Sequence, residues 1–110
     1  MGATVTSLAN ISHARQYVVV AVDAAGNSTL LSRTGFADND LGAKGHANLI
    51  SWEALAGTDR YIILAAELGK ALGYIGFSRS LYFIDDNLAP DPDDAHAQRW
   101  ARVTADYRSE

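Results

Sequence analysis

Tyr17-Val-Val-Val-Ala-Val-Asp-Ala-Ala-Gly-Asn-Ser28 is β-branched and almost wholly apolar up to Val22, then polar from Asp23 to Asn27. A strand buried against a second sheet has that composition, and Asp-Ala-Ala-Gly-Asn supplies a turn in which Gly26 or Asn27 takes positive φ. Ser28 to Thr34 returns as the partner strand, so residues 16–34 form a hairpin. It reads as the closing hairpin of a small β-sandwich. Yet Trp52-Glu-Ala-Leu-Ala-Gly-Thr-Asp-Arg-Tyr61, which reads as an opening strand pair, comes after it. Two arrangements satisfy this inverted order: one sandwich with permuted strand connections, or two incomplete sandwiches that each need a neighbour.

Further strands follow from the alternation of side chains. Asn48-Leu-Ile-Ser-Trp52 places Ile50 and Trp52 inward, with Leu49, Ser51 and Glu53 on the other parity. Arg60 to Ala66 is an apolar strand, and Leu72–Gly76 and Ser80–Ile84 are two shorter ones bracketed by glycine, giving six in all. Phe36 to Gly45, centred on Asp38-Asn-Asp40, is a linker. The expected organisation is a mainly β sandwich over residues 1–90, with hairpin 16–34, linker 36–45 and second half 47–90, followed by a helical tail over 91–110. In that tail Asp91 is the expected cap and Pro92 the first helical residue. His96, Trp100, Val103 and Tyr107 form one stripe of the helix.

Composition narrows the function. With 110 residues, the chain has the length of one domain. Its net charge of −4, with no basic run, lacks the electrostatic footprint of a nucleic-acid binder. It has no cysteine, hence no disulfide framework and no thiolate zinc site. The Met1 to Leu8 segment has no signal-peptide pattern and no apolar run is long enough to cross a bilayer, so a soluble, unprocessed chain with no membrane partner is expected.

Ile11-Ser-His-Ala-Arg-Gln-Tyr17 and the hairpin after it resemble the E-to-F corner and F-G hairpin of a fibronectin type III domain. Trp52, Gly57, Tyr61 and Ile63 resemble its B and C strands. The resemblance makes Tyr17 the corner tyrosine, its hydroxyl bonded back to the main chain, and Trp52 the central core aromatic. Ile50-Ser-Trp52 through Tyr61, then Gly73-Tyr-Ile-Gly76 and Asp85-Asp-Asn-Leu-Ala-Pro-Asp91, is similar in order to the fibronectin-like insertion of tailed-phage virion proteins, in particular the podovirus tail nozzle (tail tubular protein B) family. The chain departs from that family at Ile62–Ala66 and after Asp91, where the family continues into a large tube-forming body. The resemblance therefore implies a small, non-enzymatic accessory protein of a tailed-phage virion, assembled in the bacterial host cytoplasm. It would attach to tail or head-to-tail proteins in several symmetric copies, with the hairpin packed in cis or swapped in trans. The alternative is a glycan- or cell-surface-binding module of a phage fibre or of a secreted bacterial protein.

Candidate sites are few. Asp85, Asp86 and Asp91 belong to an acidic string whose oxygens suit Ca²⁺, although turns and a helix cap account for the same residues. His13, His46 and His96 lie in separate segments without zinc spacing, and no nucleophile elbow or phosphate loop is present. No cofactor and no enzymatic activity are expected. Aromatic side chains are the remaining handles: Tyr82 and Phe83 alternate, so one of them faces outward. Tyr74, Phe77 and Tyr82, with Trp100, Val103 and Tyr107 of the tail, are the candidate partner-binding residues.

Overall fold

The computed structural model describes residues 14–34, 41, 45–67 and 70–101. Six strands form: β1 (Arg15–Asp23), β2 (Ser28–Arg33), β3 (Asn48–Ser51), β4 (Thr58–Glu67), β5 (Gly73–Ser78) and β6 (Tyr82–Asp85). Among the described residues one helix, α1 (Ala95–Arg99), follows them. All pairings are antiparallel, in a four-stranded sheet of order β2-β1-β4-β5 and a two-stranded sheet β3-β6. In immunoglobulin lettering this is a G-F-C-C′ sheet facing a B-E pair, with F and G placed first in the chain. Permutation thus explains the inverted order. β1 pairs with β4 of the same chain from Arg15↔Glu67 to Asp23↔Thr58, so the hairpin completes the second half in cis.

The hairpin turn is made by its own carboxylate. Asp23 Oδ1 accepts from the amides of Ala25 and Asn27 at 3.0 and 2.8 Å, while Gly26 takes φ +91°, a conformation that costs a residue without Cβ little. Bonds from Asn27 hold the Asp23 carboxyl below its ordinary pKa.

β1 is central in its sheet and buried on both faces, as its continuous apolar run anticipates. Tyr17, Val19 and Ala21 join Tyr61, Ile63, Ala65 and Ile75 against Ile50 and Trp52 of the other sheet, and Phe83 packs on this cluster. Trp52 and Tyr61 rings lie 5.4 Å apart, tilted by 54°. The opposite face of the sheet is a second core: Val18, Val20, Val22, Ile62 and Leu64 pack with Leu72 and with Ala97 of the helix. Tyr74 and Trp100 rest on that cluster.

The tail departs from expectation at its cap. Asp91 does not cap the helix, because its amide and carbonyl are both engaged with Tyr74 of β5, at 3.0 and 2.9 Å. The cap is Asp94, whose Oδ2 accepts from His96 and Ala97 amides, and Pro92 lies in the turn before it. Gly73 permits this arrangement: a Cβ there would sit 2.6 Å from Pro90 Cβ and 2.7 Å from the Asp91 nitrogen. Of the linker, only Leu41 and Gly45 fall among the described residues.

Candidate functional site

Two features of the β3-β6 pair bear on function: the clasp that holds it to the larger sheet, and the face it turns outward. The clasp is built from odd residues of β1, which point into the sandwich. Arg15 donates to Asp85 Oδ2 at 2.8 Å, to the Leu88 carbonyl at 2.8 Å and to Glu67 at 3.0 Å. Tyr17 donates its hydroxyl to the same Asp85 Oδ2 at 2.6 Å and accepts from Asn48 Nδ2 at 2.7 Å. Asp85 Oδ1 takes the amides of Asn87 and Leu88, turning the chain after β6 through Asn87 at φ +86°. Both carboxylate oxygens of this fully buried aspartate are therefore satisfied.

This corrects one reading of the corner tyrosine: its hydroxyl meets a carboxylate across the sheets, not the main chain. The corner loop of a conventional sandwich would join β6 to β1. Here those ends belong to distant parts of the chain, and side chains tie them instead. Burial works against the Arg15 charge, but its bonds to Glu67 and Asp85 outweigh that and raise its pKa. Burial, then the bond to Asp85, pushes the Tyr17 hydroxyl well above its ordinary value. The Arg15 bond holds Glu67 below the usual carboxylate range.

The outward face of the pair is apolar and uncharged. Leu49 and Ile84 are register partners and are 69% and 54% exposed. Tyr82, opposite Ser51, and Leu81 before it are also exposed. No Asp, Glu, Lys or Arg lies on β3, and on β6 Asp85 alone is charged and turns inward.

Of the expected partner-binding residues, Tyr82 is on this face and Phe83 packs inward, as alternation requires. Phe77 is exposed but pairs with Ile62, a residue of the helix-side core, so it lies on the other side of the sandwich, under Arg79 at 5.5 Å. Tyr74 and Trp100 are half-buried on that side, packing rather than projecting. The four described candidates therefore do not form one surface; Val103 and Tyr107 lie outside the described residues.

The acidic string is likewise dispersed. Asp85 is consumed by Arg15 and Tyr17, Asp86 is exposed, and Asp91 Oδ1 accepts from the Asp93 amide. No group of three or more possible His or carboxylate metal ligands occurs among the described residues. A cleft beside β5 is lined by Glu67, Lys70, Ala71, Pro90 and Pro92, and its Glu67 and Lys70 pair with each other at 3.3 Å. No family model, curated protein or solved structure matches the chain.

Leu49 and Arg15 are absent from the sequence-derived site, and Asp85 stands in it as a cation ligand rather than as the partner of Arg15 and Tyr17. A signal for Leu49 exists, since its parity opposes that of Ile50 and Trp52 and a leucine there has no core to enter. Arg15 also shares parity with Tyr17, which directs a charge into the sandwich.

Proposed function

We propose that this chain is a non-enzymatic assembly module of a tailed-phage particle, attaching to a tail or head-to-tail protein through the outer face of β3-β6. The observation that carries the reading is the row of Leu49, Ile84 and Tyr82, exposed on one face of the pair and without an intervening charge. A contiguous apolar face of this kind marks an interaction surface, whereas single exposed apolar residues do not. The phage context comes from the resemblance of residues 17–91 to fibronectin-like insertions of virion proteins. The clasp supports the reading by fixing the pair rigidly on the larger sheet, so that its face is presented without a loss of order on binding. Phe77 and Tyr82, on opposite faces, do not make a common sugar platform, and on the face of Tyr82 the strand residues are the aliphatic Leu49 and Ile84 with the single hydroxyl of Ser51. That favours protein over glycan as the partner.

The test is to look for the protein in purified virions of a phage that encodes it, and to compare incorporation of Ile84→Lys and Tyr82→Ala variants. Presence in the particle, with both variants depleted while still folded, is the expected result. Absence from virions, together with binding to host polysaccharide, would overturn the proposal in favour of the glycan module.

A further inference from the structure

We infer that the segment received by the outer face of β3-β6 is apolar at its centre and carries a basic residue at each end; this rests on the docking proposed for that face and names the chemistry of its partner. Side-chain parity continues past the paired residues at both ends of the face. The Trp52 amide still bonds to the Leu81 carbonyl at 3.2 Å, so the alternation that turns Leu49 and Ser51 outward brings Glu53 to the same side. On the neighbouring strand Tyr82 and Ile84 are followed, at the same parity, by Asp86. Both carboxylates are exposed. Continuing the observed register puts Glu53 beyond the Ser51↔Tyr82 pair and Asp86 beyond Leu49↔Ile84, at opposite ends of the apolar row and about 20 Å apart.

Neither carboxylate is engaged in an ion pair with a described residue, in contrast to Asp85, which the clasp consumes. Arg79, the cation nearest to Tyr82 in sequence, stacks over Phe77 on the other side of the sandwich and lies 3.8 Å from Asp59. The apolar row is thus bracketed by two negative charges that the chain leaves unanswered. A net charge of −4 adds a field of the same sign at longer range.

These charges choose between occupants. A second copy laid face to face brings carboxylates to both ends of the contact and no base to meet them, whichever way the copies are turned. A segment with Lys or Arg at the two ends of an apolar stretch satisfies both parts of the face. Its centre takes Leu49, Ile84 and Tyr82 out of water, and its ends pair with Glu53 and Asp86 at the rim, where charge sets register and discriminates against wrong partners. A span of about 20 Å corresponds to roughly thirteen residues of helix or six of strand.

The full chain is titrated, by fluorescence anisotropy, into two labelled synthetic peptides that share one leucine-rich centre. One is flanked by two lysines at each end, the other by two glutamates. The lysine-flanked peptide should bind wild type roughly tenfold more tightly, a preference that shrinks as salt is added. Glu53→Lys combined with Asp86→Lys should invert the preference and leave the melting curve in place, since both positions are exposed. Tyr82→Ala should weaken both peptides. Equal affinity for the two peptides, binding of neither, a preference that survives the double substitution, or a chain that doubles its mass through this face would overturn the basic partner. Incorporation into virions separates this outcome from the docking itself. If the Glu53→Lys/Asp86→Lys chain enters particles like wild type while Tyr82→Ala is depleted, the face docks but its partner is not basic.

Discussion

Asp85→Asn is the most direct probe of how this sandwich is held shut. The aspartate is fully buried and accepts four hydrogen bonds, two from backbone amides at Oδ1 and two, from Arg15 and Tyr17, at Oδ2. An asparagine oxygen can keep the turn, but its amide then confronts the guanidinium, donor against donor. Arg15, with its side chain 3% exposed, retains Glu67 and the Leu88 carbonyl. Removing one partner of a buried pair costs about 3–5 kcal/mol, and the surviving Glu67 contact places this case near 3 kcal/mol. A domain of this size has roughly 5–15 kcal/mol in total and loses about 4–8 °C per kcal/mol, so the melting temperature should fall by about 12–24 °C. Urea unfolding followed by the fluorescence of buried Trp52 gives the free energy directly. Arg15→Met added to Asp85→Asn should recover at least about 1 kcal/mol, since it removes the stranded charge. An Asp85→Asn protein within about 1 kcal/mol of wild type at unchanged m-value, or strictly additive substitutions, would refute the clasp.

Tyr17→Phe should cost about 1.5–3 kcal/mol, because it removes the bond to the Asp85 carboxylate and the one that the hydroxyl accepts from Asn48, as a urea titration at neutral pH will read. The raised Tyr17 pKa means that the folded state keeps a proton the unfolded state releases. Wild-type stability should therefore be level below the ordinary tyrosine value of 10.0 and decline as pH rises above it, a slope that pH-resolved melts of the Tyr17→Phe variant should lack. Glu67 acts at the other end: its lowered pKa contributes stability above the unfolded value of 4.5 that is lost as pH falls through its folded value, and Glu67→Gln should flatten that part of the acid limb. Gly73→Ala should destabilise by about 1–3 kcal/mol and speed exchange of the Tyr74 and Asp91 amides, because the added methyl meets Pro90 and the Asp91 backbone. Asp94→Ala should cost about 1 kcal/mol in thermal melts through loss of the helix cap.

The strands are readable where local chemistry and burial agree. Val18 to Val22 combine β-branching with a position at the centre of a sheet, and parity alone places Ile50 and Trp52 inward and separates Tyr82 from Phe83. What escapes reading depends on partners distant in sequence. Asp91 has the residue type of a helix cap, but β5 claims its backbone, and the cap passes to Asp94. Asp85 sits among acidic neighbours that suggest a cation, yet its positive partner is an arginine seventy residues earlier. Tyr74 groups by sequence with Phe77 and Tyr82 as a surface aromatic, although its place next to Leu64 turns it onto the helix-side core.

The place of β1 at the middle of its sheet also governs how the chain acquires its structure. It is synthesised first, but fifty-two residues separate Arg15 from Glu67, its partner in β4. At about 5–20 residues per second a ribosome needs roughly 3–10 s to deliver that partner, during which the most apolar strand of the protein has only β2 to pair with. A hairpin alone is marginal in water. The nascent chain thus carries an uncovered Val18–Val22 segment for seconds, and loop closure over such distances slows folding further. Chaperones that shield extended apolar segments are the expected companions of this protein during its synthesis.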